Sequence, residues 1–125
     1  MKRILIIDDE KGFASMLKLN LEATGKYDVR VEDDPRKAIY AALEHRPQLI
    51  LLDIIMPNME GPDVAIALKN NDVLKDVPIV FLTATIRKSE ADVLNSNIGG
   101  YPFVAKPSTL NELLDSIERN IAVIE

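Results

Sequence analysis

Four apolar runs in this chain each end on a group capable of chemistry. Asp8 and Asp9 follow Ile4–Ile7, Asp53 follows Leu49–Leu52, Thr83 follows Ile79–Leu82, and Lys106 follows Phe103–Ala105. If the runs are neighbouring strands, three carboxylates, a hydroxyl and an ammonium meet in one place. Carboxylates gathered within a few ångströms raise one another's pKa or recruit a cation. Oxygen-only ligands with room for water favour Mg2+, with Mn2+ as the alternative, held by one or two carboxylates plus phosphate oxygens of a substrate. Phosphoryl transfer needs chiefly positioning and charge neutralisation around the transferred oxygens. A dication, Thr83 and Lys106 can supply both, and Asp53 can supply a covalent acceptor. Taken singly, each group has a plainer reading: a helix-capping aspartate, a strand-end hydroxyl, a solvated surface lysine.

Bringing these positions together requires a particular architecture. Residues 4–7, 49–52 and 79–82 are unbroken apolar runs, the pattern of central strands covered on both faces. Asp28-Val29-Arg30-Val31-Glu32 alternates, as an edge strand with one wetter face does, and Phe103-Val104-Ala105, short and preceded by Pro102, reads as the other edge. Between them apolar residues recur at helical spacing. A first helix is expected from about Lys11 to Thr24, closing at Gly25, with Phe13, Leu17 and Leu21 inward. A second opens at Asp34-Pro35, buries Ala38, Ile39, Ala42 and Leu43, and stops before Pro47. A third begins near Gly61-Pro62 with Val64, Ala65 and Leu68 inward, and a fourth falls within 87–97. The last starts with the capping box Thr109-Leu110-Asn111-Glu112 and carries a stripe of Leu110, Leu113, Leu114, Ile117, Ile121 and Ile124. Alternating strands and helices imply right-handed crossovers and a doubly wound five-stranded parallel sheet with helices on both faces, whose strand carboxyl ends share one edge.

The chain has 125 residues, 47% hydrophobic and 28% charged, with a formal net charge of −5. That size fits one domain over residues 1–125, with no room for an effector domain within them, so either a stand-alone module or a fragment excised from a larger protein is expected. The negative charge argues against direct nucleic-acid binding, which rests on basic residues displacing counterions. The chain contains no cysteine, so disulfides and thiolate zinc sites are excluded. No apolar run approaches the roughly 20 residues of a membrane span, and the four aliphatics after Met1-Lys2-Arg3 are too few for a secretory signal, so a cytoplasmic domain is expected. His45, with nothing nearby to complete a metal set or triad, reads as a solvated residue ending the second helix, and Glu10 as first-turn charge stabilisation of the first helix, with contact to the metal shell as the lesser alternative.

The segments Ile6-Ile7-Asp8-Asp9-Glu10, Leu51-Leu52-Asp53-Ile54-Ile55-Met56-Pro57 with Gly61, Leu82-Thr83-Ala84 and Val104-Ala105-Lys106-Pro107 resemble, in this order, the signature set of the receiver domain of bacterial two-component response regulators. The resemblance covers essentially the whole chain. It implies a flavodoxin-like fold with strand order 2-1-3-4-5, an order that general accounts of doubly wound sheets already give for this family. It further implies that Asp53 accepts a phosphoryl group from the histidine of a sensor kinase or phosphotransfer protein. Asp8, Asp9, Asp53 and the backbone carbonyl of Ile55 would hold Mg2+, with Asp9 the direct ligand and Asp8 acting through water. Lys106 would contact the phosphoryl group, Thr83 would move toward it, and Phe103, at the family's switch aromatic position, would turn inward and alter the face that a downstream effector reads. Such a domain catalyses only its own phosphorylation and dephosphorylation.

The chain departs from the family at Ser108, where many DNA-binding members have an aromatic, and at Ile98-Gly99-Gly100-Tyr101-Pro102, which lacks the usual acidic pair. Both positions fall on the face commonly used for dimerisation, so that dimer mode is not carried over. Ile55 and Thr85 lie two positions beyond the acceptor and the hydroxyl, and an apolar Ile55 is expected to limit water access and lengthen the phosphoryl lifetime. Two rival functions exist: a flavin-binding electron carrier of the same fold, whose phosphate the loop Asp8-Asp9-Glu10 would repel, and a pseudo-receiver that binds partners without phosphorylation.

Overall fold

A computed structural model describes residues 1–54, 56, 59–83, 97–98, 101–105 and 109–121. In chain order the described elements are β1 (Lys2–Ile7), α1 (Lys11–Ala23), β2 (Tyr27–Glu32), α2 (Ala38–His45), β3 (Leu49–Asp53), α3 (Gly61–Lys69), β4 (Ile79–Thr83), β5 (Asn97–Ile98), β6 (Tyr101–Ala105) and α4 (Leu110–Asn120). The sheet runs β2-β1-β3-β4-β6-β5. Counting its parallel strands alone gives the expected order 2-1-3-4-5, since β1 pairs in parallel with β2 and β3, β3 with β4, and β4 with β6.

Strand alternation sorts the core into two layers. Leu5, Ile7, Ile50, Leu52, Ile79, Phe81 and Phe103 point to the side covered by α2 and α3. Ile4, Ile6, Leu49, Leu51, Val80, Leu82 and Val104 point to the side covered by α1 and α4. Every residue of β3 and β4 is buried, which explains why these strands read as continuous apolar runs rather than alternating ones.

Several boundaries differ from expectation. The last parallel strand begins at Tyr101 and is not the edge, because the two-residue β5 pairs with it antiparallel, Asn97 opposite Pro102 and Ile98 opposite Tyr101. Asn97 is therefore strand rather than the end of a fourth helix, and the remainder of that expected helix, residues 87–96, lies outside the described residues. Asp34 opens a single 3-10 turn, Pro35–Lys37, before α2 begins; its carboxylate accepts from the Arg36 N–H at 2.9 Å. This delay rotates α2, so Ala41 is buried and Leu43 is exposed. In α1, Leu17 and Leu21 are inward with Ala14, and Phe13 is half-buried against the same cluster. The helix ends as expected, with Gly25 at φ 76°. α2 stops differently: Arg46 takes the left-handed conformation at φ 52° and its N–H donates to Ala42 O at 2.9 Å. His45 does end α2, and its Nε2 lies 3.1 Å from Asp28 O. At α4 the Thr109 hydroxyl accepts from the Glu112 N–H at 3.1 Å and lies 3.2 Å from the Glu112 carboxylate.

Two polar groups bind the layers away from the strand carboxyl ends. Tyr27, buried at the start of β2, donates its hydroxyl to Glu118 of α4, and Lys2 reaches the same carboxylate at 2.9 Å. Burial, then the Glu118 bond, pushes the Tyr27 hydroxyl well above the usual tyrosine range, while the Tyr27 and Lys2 bonds hold Glu118 below the usual glutamate range. Lys69 at the end of α3 donates to Lys75 O and Val77 O at 2.9 and 2.8 Å and sits 5.9 Å from the Tyr101 ring centre. Tyr101 in turn meets Phe81 edge-on at 5.4 Å.

Candidate functional site

The parallel strands β1, β3, β4 and β6 end together, and the chain leaves each of them at the same edge of the sheet. Asp8 follows β1 directly and remains tied to the ladder, its N–H donating to Glu32 O at 3.1 Å. Its side chain is fully buried and accepts from the Glu10 N–H at 2.9 Å, so the turn into α1 is closed by the carboxylate itself. Asp53 is the last residue of β3, opposite Leu82 of β4, and is also buried. Thr83, the last residue of β4 and opposite Ala105, is buried as well. Among the described residues the buried polar or charged side chains are those of Asp8, Asp53, Thr83 and Ser116, and the first three gather at this edge, which makes it the candidate site.

Gly61 explains how Asp53 is held. The Gly61 N–H donates to Ile54 O at 2.7 Å, so the start of α3 is drawn onto the backbone that leaves β3. A Cβ at residue 61 would collide with the carbonyl oxygen of Asp53 and lie 2.7 Å from Ile54 Cα. Glycine is needed here for close approach and not for an unusual backbone angle.

One carboxylate oxygen from each of Asp8, Glu10 and Asp53 lies within 4.8 Å of the other two. Two oxygens bound to one ion are separated by at most twice the metal–oxygen distance, about 4.2 Å for Mg2+ and about 5 Å for Ca2+. The all-oxygen donor set suits a hard dication, and its 4.8 Å span lies inside the Ca2+ limit and above the Mg2+ one, so the carboxylates would draw closer around Mg2+. Asp9 is half-buried and is not one of these three; Glu10, read from the sequence chiefly as helix charge, is, and unlike Asp8 and Asp53 it is exposed. The signal for Glu10 lay in its position. It is the residue before the first turn of α1, with extended backbone at φ −81° and ψ 91°, and its side chain makes no capping bond. A glutamate there is too long to fold back efficiently onto the helix, unlike the short Ser, Thr, Asp or Asn preferred at that place.

Phe103 lies on β6 opposite Phe81 and packs into the layer beneath α2 and α3. Lys106, Pro107, Ile55 and Thr85 lie outside the described residues. Among the described residues no helix is long and apolar enough to cross a membrane.

The response regulator receiver domain model matches residues 4–118. Solved structures agree with that assignment. The chain is 26% identical to the Vibrio cholerae chemotaxis protein CheY4, covering 97% of this chain and 99% of that one with a TM-score of 0.82. It is 27% identical to a putative response regulator from Chloroflexus aurantiacus, over 94% and 95% of the two chains, with a TM-score of 0.79. It is 29% identical to the signal receiver domain of a signal transduction histidine kinase from Syntrophus aciditrophicus, over 95% and 89%, with a TM-score of 0.77. A doubly wound sheet with an acidic nest at its carboxyl edge, matched along 4–118, defines the class: the chain belongs to the receiver domain family of two-component response regulators. Receiver domains are signalling domains.

Proposed function

We propose that this receiver domain takes a phosphoryl group onto Asp53 from the phosphohistidine of a sensor kinase or a histidine phosphotransfer protein in the cytoplasm. A carboxylate oxygen of Asp53 attacks phosphorus, the P–N bond breaks with its electron pair going to the imidazole nitrogen, and a mixed carboxylic–phosphoric anhydride remains on the protein. The observation that carries this reading is the convergence of the Asp8, Glu10 and Asp53 carboxylates within 4.8 Å, beside the buried Thr83 at the adjacent strand end. Bound by Asp8, Asp9, Asp53 and the Ile55 carbonyl, Mg2+ or Mn2+ would neutralise the charge that accumulates on the phosphoryl oxygens.

The chain's own residues do the rest. Asp8 and Asp53 are pre-positioned by burial, so little ordering remains when the donor arrives. The Thr83 hydroxyl donates to a phosphoryl oxygen, and Lys106, next after the residue paired with Thr83, supplies a fixed positive charge. Movement of Thr83 toward the new group alters the packing of Phe103 and thus the face read by an effector protein or domain. Phosphoryl-dependent binding, rather than turnover of a metabolite, is the output.

The test is incubation with Mg2+ and acetyl phosphate followed by intact-mass measurement. A single phosphoryl adduct that is lost in Asp53→Asn and in the presence of a chelator supports the reading. No adduct with acetyl phosphate, phosphoramidate or a panel of phosphorylated kinases would leave a partner-binding module that works without phosphorylation.

A further inference from the structure

Phe103 is only 8% exposed, so a change in its packing reaches a partner through a neighbouring side chain. The neighbour on the same face of β6 is Tyr101, two residues earlier and half-buried. Both rings flank Phe81 of β4. Phe103 stands directly opposite it in the ladder, and Tyr101 meets it edge-on, with ring centres 5.4 Å apart and planes at 87°. Phe81 is itself two residues before Thr83, on the same face of the strand. The Lys69 ammonium lies over the Tyr101 ring, 5.9 Å from its centre. Lys69 cannot follow the ring freely, because it donates to the Lys75 and Val77 carbonyls at 2.9 and 2.8 Å. Burial lowers its pKa, with the Asp76 carboxylate acting in the opposite direction, so the charge is poorly hydrated and relies on these contacts.

We propose that Tyr101 is the side chain that carries the phosphorylation state of Asp53 to the surface of this chain, and that Lys69 holds its ring in the resting position. The proposal rests on the phosphoacceptor reading above. A shift of Thr83 toward a phosphoryl group displaces Phe81 on the same strand. The edge contact passes that displacement to Tyr101, whose ring moves relative to the anchored ammonium. The surface altered is the flank where the end of α3 meets the start of β6. An exposed cation–ring contact is worth roughly a factor of two to five in an equilibrium. Phosphorylation and Lys69 act on one equilibrium between two positions of the ring, so removal of the ammonium should raise the population of the moved position by that factor with no phosphoryl group present.

The experiment is fluorine NMR of the whole chain carrying meta-fluorotyrosine at its three tyrosines, Tyr27, Tyr40 and Tyr101, before and after treatment with Mg2+ and acetyl phosphate, with phosphorylation read by intact mass. Tyr40→Phe and Tyr101→Phe assign the signals. A Tyr101 signal that moves with the phosphoryl adduct and stays in place in Asp53→Asn supports the proposal, with the signal of Tyr40, exposed on α2, unmoved throughout. In unphosphorylated Lys69→Met the Tyr101 signal should already lie toward the phosphorylated position, by a moved population roughly two to five times larger. In Lys69→Arg, which keeps a cation at the ring, it should stay where it is in wild type. A Tyr101 signal that is stationary in phosphorylated wild type overturns the proposal, and that measurement depends on no variant folding. A Lys69→Met signal identical to wild type overturns the holding role of Lys69. These outcomes are separable from the underlying reading: a wild-type chain that takes up no phosphoryl group from any donor refutes the phosphoacceptor function and this inference with it, whereas an adduct beside a stationary Tyr101 refutes only the role of Tyr101.

Discussion

Gly61→Ala should destabilise this domain through the backbone that carries the acceptor aspartate. The added Cβ meets main-chain atoms, with Ile54 Cα at 2.7 Å and the Asp53 carbonyl carbon at 3.1 Å. No flexible side chain is available to swing aside, so either α3 lifts or Asp53–Ile54 shifts. Overpacking of this kind costs about 1–3 kcal/mol, and weakening the 2.7 Å bond from the Gly61 N–H to Ile54 O adds up to about 1 kcal/mol. Replacing glycine by alanine returns about 0.5–1 kcal/mol by restricting the unfolded chain. The balance is a loss of about 2 kcal/mol. With an unfolding entropy of about 2.1 cal/mol/K per residue over 125 residues, this lowers Tm by about 8 °C. Gly12→Ala is the internal control, since nothing lies within 4 Å of a Cβ there and the residue sits in the first turn of α1; it should leave Tm unchanged or raise it by about 2 °C. Thermal unfolding followed by far-ultraviolet circular dichroism, with urea titration as a second measure, reads both variants. If Gly61→Ala melts within about 2 °C of wild type, the close approach does not constrain Asp53 and the account of how the site is held is wrong.

The pair of Tyr27 and Glu118 predicts stability changes at both ends of the pH range. The Tyr27 pKa is raised, so its contribution is fully present below about pH 10 and is lost as pH climbs above that value; the Glu118 pKa is lowered, so its contribution is present above about pH 4.5 and is lost as pH falls below it. Tyr27→Phe should cost about 1.5 kcal/mol at neutral pH and flatten both limbs, as measured by urea midpoints from pH 3 to 11; a constant wild-type-to-variant difference across that range would contradict it. Arg46→Gly should raise Tm by about 4 °C, because the left-handed φ of 52° costs arginine about 1 kcal/mol that glycine avoids. A lower Tm in that variant would show that the bond from the Arg46 side chain to Leu43 O outweighs the strain.

What could be read from the residues, and what could not, divides along physical lines. The apolar runs 4–7, 49–52 and 79–82 were legible because strands buried on both faces leave no polar position to blur the signal. Asp53 and Thr83 were legible because each ends such a run. β5 was not: a two-residue strand has no period of its own and exists through its pairing with Tyr101 and Pro102. The exchange of Leu43 for Ala41 on the inner face of α2 follows from the 3-10 turn at Pro35, whose tighter winding shifts the phase of everything after it. Glu10 was read chiefly as helix charge because a charge before a helix is usually explained by the helix dipole, and only the three-dimensional turn brings an oxygen of its exposed carboxylate within 4.8 Å of those of Asp8 and Asp53.

The short antiparallel strand has a consequence for how other proteins can engage this domain. A bare parallel edge at β6 would offer a row of main-chain donors and acceptors to any passing extended peptide. Here Asn97–Ile98 pairs with Tyr101 and Pro102 at the start of that row, and Pro102 has no N–H to donate. Where β5 covers the start of β6, recognition at this flank turns on side-chain shape, which a rearrangement of the core beneath it is able to change, whereas a zipper of amide bonds would be largely indifferent to such a rearrangement.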